Sequence, residues 1–222
     1  AADAHVLPAT HLGRRAGDRL RAWLADGRGH EGRILATTFD LDPANGDIVN
    51  ASSSRGPASA AGCCRRPGLE TLDLRLMPLL KPDLAAPGTD ILAAIASTED
   101  RPAPEFGPMS GTSMAGPHVA GAVALLRQAR PDWSPAQLQS ALVIAARDGT
   151  LRKEDGASPA DRFDGGGGHL DVGAAAMAGL VLDQTPADFR AMDSDDGNDL
   201  ASLNLPGLVS VACVGECRWE RT

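Results

Sequence analysis

The most constraining feature of this 222-residue chain is a glycine-bearing turn that runs directly into a helix. The turn occupies residues 110–118 and reads SGTSMAGPH. From residue 114 to residue 130 apolar side chains recur three or four positions apart, which predicts an amphipathic helix. These side chains are Ala115, Val119, Ala122, Val123 and Leu126. Ser113 therefore lies near a helix N-terminus, where backbone N–H groups lack intrahelical partners and the helix dipole is positive.

Local chemistry gives Ser113 two interpretations. Serine is a good helix cap, and caps are much commoner than nucleophiles, so local chemistry alone favours a cap. The alternative is a catalytic nucleophile, because an oxyanion that forms beside this serine would find N–H donors already directed at it. The motifs elsewhere in the chain decide between them.

Several further motifs accompany the serine turn in a fixed order. They are SSSRGP at 52–57, KPDLAAPGTDILAA at 81–94, PDWSP at 131–135 and a segment from FDG at 163–165 to LD at 182–183. Together with the serine turn they resemble the subtilisin-like serine proteases, the subtilases, over about residues 35–183. The resemblance implies an α/β fold, namely part of a subtilisin-like parallel sheet flanked by helices and incomplete at its N-terminus.

The resemblance implies a serine endopeptidase whose substrate is a protein or peptide. Ser113 would be the catalytic residue, and Gly111 and Thr112 would support the serine turn and the oxyanion. The reaction also needs a histidine base and an aspartate that orients it, and both precede the serine in the subtilase chain order.

No histidine of the chain is a convincing base. Three histidines precede Ser113, but none stands in the His-Gly-Thr context of the family: His5, His11 and His30. His118 follows the serine by five helical positions, which turns its side chain about 140° away, and we interpret it as structural. His169 lies in a glycine turn after the serine, and we interpret it as structural too. An oxyanion asparagine in an Ala-Gly-Asn context is also missing.

We therefore expect the triad Asp and His, the oxyanion Asn and most of the substrate cleft on a missing N-terminal part of the catalytic domain. That part would be a partner of this chain, and the chain alone would have no peptidase activity. The alternative is a non-catalytic subtilase-like fragment or pseudoenzyme that acts as a binding module. An α/β hydrolase is disfavoured, because residues 111–115 depart from Gly-x-Ser-x-Gly at the last position.

The resemblance also divides the chain into three parts. Residues 1–33 are expected to be the tail of a protease-associated insert, and residues 34–183 the C-terminal part of the catalytic domain. Residues 184–222 would be an acidic linker and the start of a fibronectin-type C-terminal domain. A secreted or periplasmic location follows, and it favours a disulfide between Cys213 and Cys217.

Composition and spacing exclude several other functions. A net charge of −8 argues against a nucleic-acid partner, and no apolar run approaches the length of a membrane span. The glycines at 165–168 lack the residues of a phosphate-binding loop, so we predict a tight backbone approach and no cofactor. No metal site is expected, because the cysteines lack zinc spacing and one acidic cluster fails the EF-hand spacing. That cluster consists of Asp193, Asp195, Asp196 and Asp199.

Periodicity and turn residues predict the remaining elements. Helices are expected over 14–26 and from a capping box at 134–137 onward. Strands are expected over 33–41, 48–53 and 90–96, and residues 203–219 carry β-forming side chains. Loops are expected over 55–75 and 97–108.

Overall fold

The computed structural model describes residues 12, 14–33, 42, 45–56, 79–96, 105–191, 202–210 and 213–222. The chain divides into two compact units. The first comprises Ala1–Asp42 and Asp90–Ser110, and the second comprises Pro43–Thr89 and Gly111–Thr222. Helices and strands are both present, so the fold is α/β.

The first unit contains one described helix and a two-stranded sheet. Helix α1 spans Arg14–Ala25, which confirms the helix predicted over 14–26. Strand β1 (Ile91–Ile95) confirms the strand predicted over 90–96, and it pairs antiparallel with β2 (Glu105–Met109). The prediction of a loop over 97–108 is therefore wrong at its end. The residue types of β2 do not predict a strand, because Gly107 and Pro108 are both depleted in strands. Proline is tolerated there only where the sheet needs no backbone N–H donor.

A parallel sheet is not among the elements that the described residues form. Their parallel pairings are two isolated bridges, Ile48 with Arg152 and Ala85 with His169. The strand predicted over 48–53 is wrong beyond its first residue, because the N–H of Ser53 donates to the carbonyl of Asn50 (2.9 Å) and closes a turn. Most of the strand predicted over 33–41 lies outside the described residues. The parallel sheet thus stays a prediction.

The second unit is built on helices. Its described helices are α2 (Thr112–Ala129), α3 (Pro135–Ile144), α4 (Arg162–Gly165), α5 (Val172–Ala176) and α6 (Pro186–Arg190). The predicted stripe of α2 is confirmed, with Ala122 and Leu126 buried and Val119 and Val123 packed against them. The core that these residues share with α3 and α5 is completed by Leu138, Ala141, Leu142 and Ala175. Small and aliphatic side chains fill it, in keeping with an aromatic content of 3%.

The capping box predicted at the start of α3 is confirmed. The hydroxyl of Ser134 accepts from the backbone N–H of Gln137 (3.2 Å), and the side-chain oxygen of Gln137 accepts from the N–H of Ser134 (2.9 Å). Pro135 occupies the first turn, where no donor is required. Because α3 carries much of the buried core, this cap stabilises the helix on which the second unit depends.

We expect Ser134→Ala to lower the free energy of unfolding by about 1 kcal/mol, since one helix donor loses its acceptor. Urea unfolding followed by circular dichroism measures the change. Ser134→Asn keeps a capping oxygen and is the matched control. Equal stability of the alanine variant and the native chain would contradict a stabilising role for the cap.

The glycine turn at 165–168 confirms the predicted tight backbone approach. A Cβ added at Gly167 would lie 2.4 Å from the carbonyl oxygen of Val143, and one added at Gly168 would lie 2.2 Å from that of Arg147. The N–H of Gly167 donates to the carbonyl of Asp83 (2.9 Å). The glycines therefore let three backbone segments pack without side chains between them.

The end of the chain bears out one prediction and leaves another open. Cys213 and Cys217 form the favoured disulfide, with their Cα atoms 6.0 Å apart. Residues 202–210 and 213–222 form no strand, although they lie in the segment with β-forming side chains. The three-part domain division stays a prediction, and the acidic cluster at 193–199 lies outside the described residues.

The carboxyl group of Asp155 has a strongly lowered pKa. Hydrogen bonds from the hydroxyl of Ser158 (2.6 Å) and from the N–H groups of Ala157 (2.9 Å) and Ser158 (2.8 Å) lower this pKa to about 2. The charged form is thus favoured by folding. Its stabilising effect is complete above the ordinary pKa of 3.8 and is lost as the pH falls through about 2.

We expect Ser158→Ala to raise the pKa of Asp155 toward its ordinary value, because the first of these hydrogen bonds is removed. An NMR titration of the carboxyl carbon measures the midpoint. Ser54→Ala, at an exposed serine of another segment, is the matched control and should leave the midpoint in place. An unchanged midpoint in the Ser158 variant would show that the hydroxyl is not the cause.

Candidate active site

The position of Ser113 in the first turn of α2 differs from that of a cap. The helix begins at Thr112, and Gly111 is the residue at the N-cap, without a side-chain capping bond. Ser113 is thus the second helical residue. Its side chain is exposed, and its hydroxyl forms no hydrogen bond within the part of the chain that the structure describes. The interpretation of Ser113 as a helix cap is therefore wrong.

Backbone hydrogen bonds fix the serine turn and leave two donors free. The N–H of Gly111 donates to the carbonyl of Gly88 (2.7 Å). The carbonyl of Gly111 accepts from Met114 (3.0 Å) and Ala115 (3.3 Å). The N–H groups of Thr112 and Ser113 have no acceptor among the described residues. Both lie at the positive end of an 18-residue helix, where an anion is stabilised.

The neighbouring serine is held in a different way. The hydroxyl of Ser110 accepts from the N–H of Asp90 (2.8 Å) and donates to the Asp90 carboxylate (3.1 Å). Both the lone pair and the proton of this hydroxyl are therefore engaged within the first unit. Of the two serines in the turn, Ser113 is the one with an unengaged hydroxyl.

The described histidines of the second unit, His118 and His169, make no hydrogen bond to Ser113. Nδ1 of His118 lies 2.8 Å from the carbonyl oxygen of Met114, one turn back on the same helix, in agreement with its structural interpretation. His169 lies between Arg147 (3.2 Å from Nδ1) and Asp47 (3.6 Å from Nε2). The ring of His30 packs on Trp23, with centroids 4.2 Å apart. His5 and His11 lie outside the described residues.

An apolar cavity of about 660 Å³ borders the start of α2. Gly111 and Thr112 of the serine turn line it together with Ala115, Gly116 and Val119 of the helix. Residues 81–89 and part of 47–54 line it from the other sides. Ser113 is not among the lining residues, so the cavity meets the serine turn at Gly111 and Thr112 and not at the Ser113 side chain.

A buried ion-pair cluster that the sequence analysis missed fixes the SSSRGP segment. The carboxylate of Asp164, only 4% exposed, pairs with Arg55 and with Lys153 (3.2 Å) and accepts from the N–H of Asp161 (2.8 Å). The N–H of Gly56 adds a bond to the carbonyl of Phe163 (3.0 Å). Two cations and a backbone donor thus compensate the burial of one carboxylate.

The described residues supply no other obvious site. They contain no group of three or more His, Cys, Asp or Glu side chains that could hold a metal ion. Among them there is also no helix with the length and apolar character of a membrane span.

Comparisons with known proteins match the region that carries this site. The sequence model of the subtilase family matches residues 70–167, which contain the serine turn, α2 and α3. The subtilisin-like protease SBT1.7 of Arabidopsis thaliana is 35% identical over an aligned span of 260 residues, gaps included. The match covers 100% of this chain and 32% of the relative. SBT1.6 of the same plant is 38% identical over 205 residues, with coverage of 84% and 24%. The chain belongs to the subtilase family.

The subtilase chain is short beside these relatives. It spans between 24% and 32% of their lengths. A solved protease structure from Pseudoalteromonas arctica is 32% identical to this chain. The match covers 43% of this chain and 28% of the protease, with a TM-score of 0.35. A superposition at that score adds nothing to the fold described above.

Proposed function

We propose that this chain is the serine-bearing segment of a subtilase endopeptidase, with Ser113 as the nucleophile that attacks a peptide carbonyl. One observation carries the proposal. The exposed hydroxyl of Ser113 has no hydrogen bond in the described part of the chain, and it lies beside two free N–H groups at the positive end of α2. Acyl transfer needs a nucleophile and an oxyanion site together, and an exposed hydroxyl beside two unpaired N–H groups supports this pair of roles.

Gly111 and Thr112 support this chemistry through the backbone. Gly111 fixes the turn by its bond to Gly88, and Thr112 contributes one of the two free donors. Together with the N–H of Ser113, it would form the backbone half of an oxyanion hole. In subtilisin, a member of the same family, removal of the side-chain asparagine donor of the oxyanion hole lowers kcat about 100- to 1,000-fold, which shows how strongly such donors can act.

The proton of Ser113 still needs a base, and the described hydrogen bonds of His118 and His169 go to other groups. We place the triad His and Asp, the oxyanion Asn and most of the substrate cleft on an N-terminal part of the catalytic domain, which this chain would complete. A neutral serine without its base is a poor nucleophile, so this chain alone should not hydrolyse peptides. Residues 34–183 would be the C-terminal part of that domain, in a secreted or periplasmic protease with protein or peptide substrates.

A fluorophosphonate probe tests the assignment, because it labels only activated serines. We expect the 222-residue chain alone to remain unlabelled and to leave casein intact. Mixed with the polypeptide encoded upstream of it, the chain should be labelled at Ser113, as located by peptide mass spectrometry. Ser113→Ala should abolish the label, while Ser110→Ala, the matched control at the neighbouring serine, should retain it.

Three outcomes would contradict the proposal or a part of it. Labelling of a different serine in the mixture would contradict Ser113 as the nucleophile. No labelling, despite stable binding of the upstream polypeptide, would favour the non-catalytic binding module. Casein turnover by the chain alone that Ser113→Ala abolishes would contradict its inactivity in isolation.

A further inference from the structure

We infer that Asn50 is an acceptor site for an N-linked glycan. Asn50, Ala51 and Ser52 form the tripeptide Asn-x-Ser, with x other than proline, which oligosaccharide-transferring enzymes of the secretory route recognise. The sequence has three more asparagines, and none has Ser or Thr two positions later: Asn45, Asn198 and Asn204. The chain thus offers a single acceptor.

The acceptor tripeptide lies in an exposed turn of the second unit. All three of its residues are exposed, and the turn is closed by the N–H of Ser53, which donates to the carbonyl of Asn50 (2.9 Å). A glycan on Asn50 therefore extends into solvent and displaces no core residue. Exposed turns of this kind are where a secreted chain tolerates a bulky, solubilising group.

The hydroxyl of the tripeptide is already bonded to the amide that would react. The Oγ atom of Ser52 donates to Oδ1 of Asn50 (2.8 Å), and the N–H of Ser52 donates to the same oxygen (2.9 Å). Two donors on the carbonyl oxygen draw electron density from Nδ2 and ease the loss of one of its protons. Nδ2 also donates weakly to Thr89 (3.3 Å), and it can keep that bond because only one of its two hydrogens is replaced.

The transfer of the glycan requires one co-reactant, a lipid-linked oligosaccharide pyrophosphate, as the donor of the sugar. A bond forms between Nδ2 of Asn50 and the anomeric carbon of the first sugar, and the bond from that carbon to the pyrophosphate oxygen breaks. The lipid pyrophosphate leaves, and the Nδ2 proton passes to a base of the transferring enzyme. This inference rests on the proposed secreted location. The Cys213–Cys217 disulfide agrees with that location, because disulfides persist in oxidising compartments.

A glycan here would cover the apolar cavity beside the serine turn. Asn50 and Ser52 border that cavity together with Ala115 and Val119 of α2. Exposed apolar surface favours association between chains. A glycan at this rim would therefore shield the cavity from such association.

An in-vitro translation with endoplasmic reticulum microsomes tests the inference. The 222-residue chain is translated behind a secretion leader, and the readout does not require the chain to fold. Only chains protected from external protease are scored. We expect one glycosidase-sensitive mobility shift, lost in Asn50→Gln and in Ser52→Ala. Ser52→Thr should retain the shift, and so should Ser53→Ala, the matched control one residue beyond the tripeptide. Release by a peptide N-glycanase, which hydrolyses the side-chain amide bond, should convert Asn50 to aspartate in the peptide mass spectrum.

Protected chains without a shift would overturn the inference, as would a shift that persists in Asn50→Gln. Failure here is distinguishable from failure of the proposed function, because Ser113→Ala should be glycosylated like the native chain. Conversely, Asn50→Gln should leave the fluorophosphonate label on Ser113 in the reconstituted mixture.

Discussion

Gly166→Ala is expected to lower the free energy of unfolding by about 3–5 kcal/mol. Gly166 has a φ of 61°, where an L side chain is strained. A Cβ at this position would also lie 2.2 Å from the carbonyl oxygen of Pro82 and 2.3 Å from that of Asp83. Backbone atoms cannot rotate away as a side chain can, so the two segments must separate. Urea unfolding followed by circular dichroism measures the loss.

Gly149→Ala separates the two causes. Gly149 has a similar φ of 72°, but nothing lies within 4 Å of the Cβ that alanine would add. This control should cost only the backbone strain, about 1–2 kcal/mol. Equal losses for the two variants would show that the contact of Gly166 with residues 82–83 adds nothing.

Leu126→Ala is expected to lower the free energy of unfolding by about 3–5 kcal/mol, since the side chain is lost and a cavity is left behind. Leu126 is 0% exposed and packs in the core cluster with Leu138 and Leu142 of α3. The substitution therefore removes the contact that α2 and α3 share through this side chain. Thermal and urea unfolding both report the change.

The adjacent residue of the same helix is the matched control. Leu125 is 60% exposed, so Leu125→Ala should change the stability by less than about 0.5 kcal/mol. Its helix propensity and its removed volume are the same as those of the Leu126 variant. Similar losses at the two positions would contradict the orientation of α2.

Local patterns predicted the elements that depend on near neighbours. The apolar spacing of α2 and the capping box of α3 are read within one or two turns, and both are confirmed. The strand β2 was missed, because its partners in β1 lie 10–18 positions earlier in the sequence, and this pairing outweighs the poor strand preference of Gly107 and Pro108. Sequence periodicity carries no information about such a partner.

The candidate site was predictable in kind but not in geometry. Local chemistry alone favoured a cap at Ser113, whereas the motifs elsewhere in the sequence favoured a nucleophile. The start of α2 at Thr112 shows that Gly111 is the residue at the cap. The pairing of Arg55 with Asp164 joins residues far apart in the chain, and neither residue signals the other. The acceptor tripeptide at Asn50, in contrast, can be identified from three consecutive residues of the sequence. The hydrogen bond that the Ser52 hydroxyl donates to Oδ1 of Asn50 cannot be identified in this way.

The contact between Gly88 and the serine turn has a consequence for how this chain can vary. The Gly88 carbonyl holds the N–H of Gly111, and an added Cβ at Gly88 would lie 2.8 Å from the Gly111 carbonyl oxygen and 3.2 Å from Cβ of Ala115. Any side chain there must push the start of α2 away. A screen for unreactive variants should therefore return position 88 beside position 113, although glycine has no group that reacts. Position 88 must therefore lack a side chain for the serine turn to keep its place.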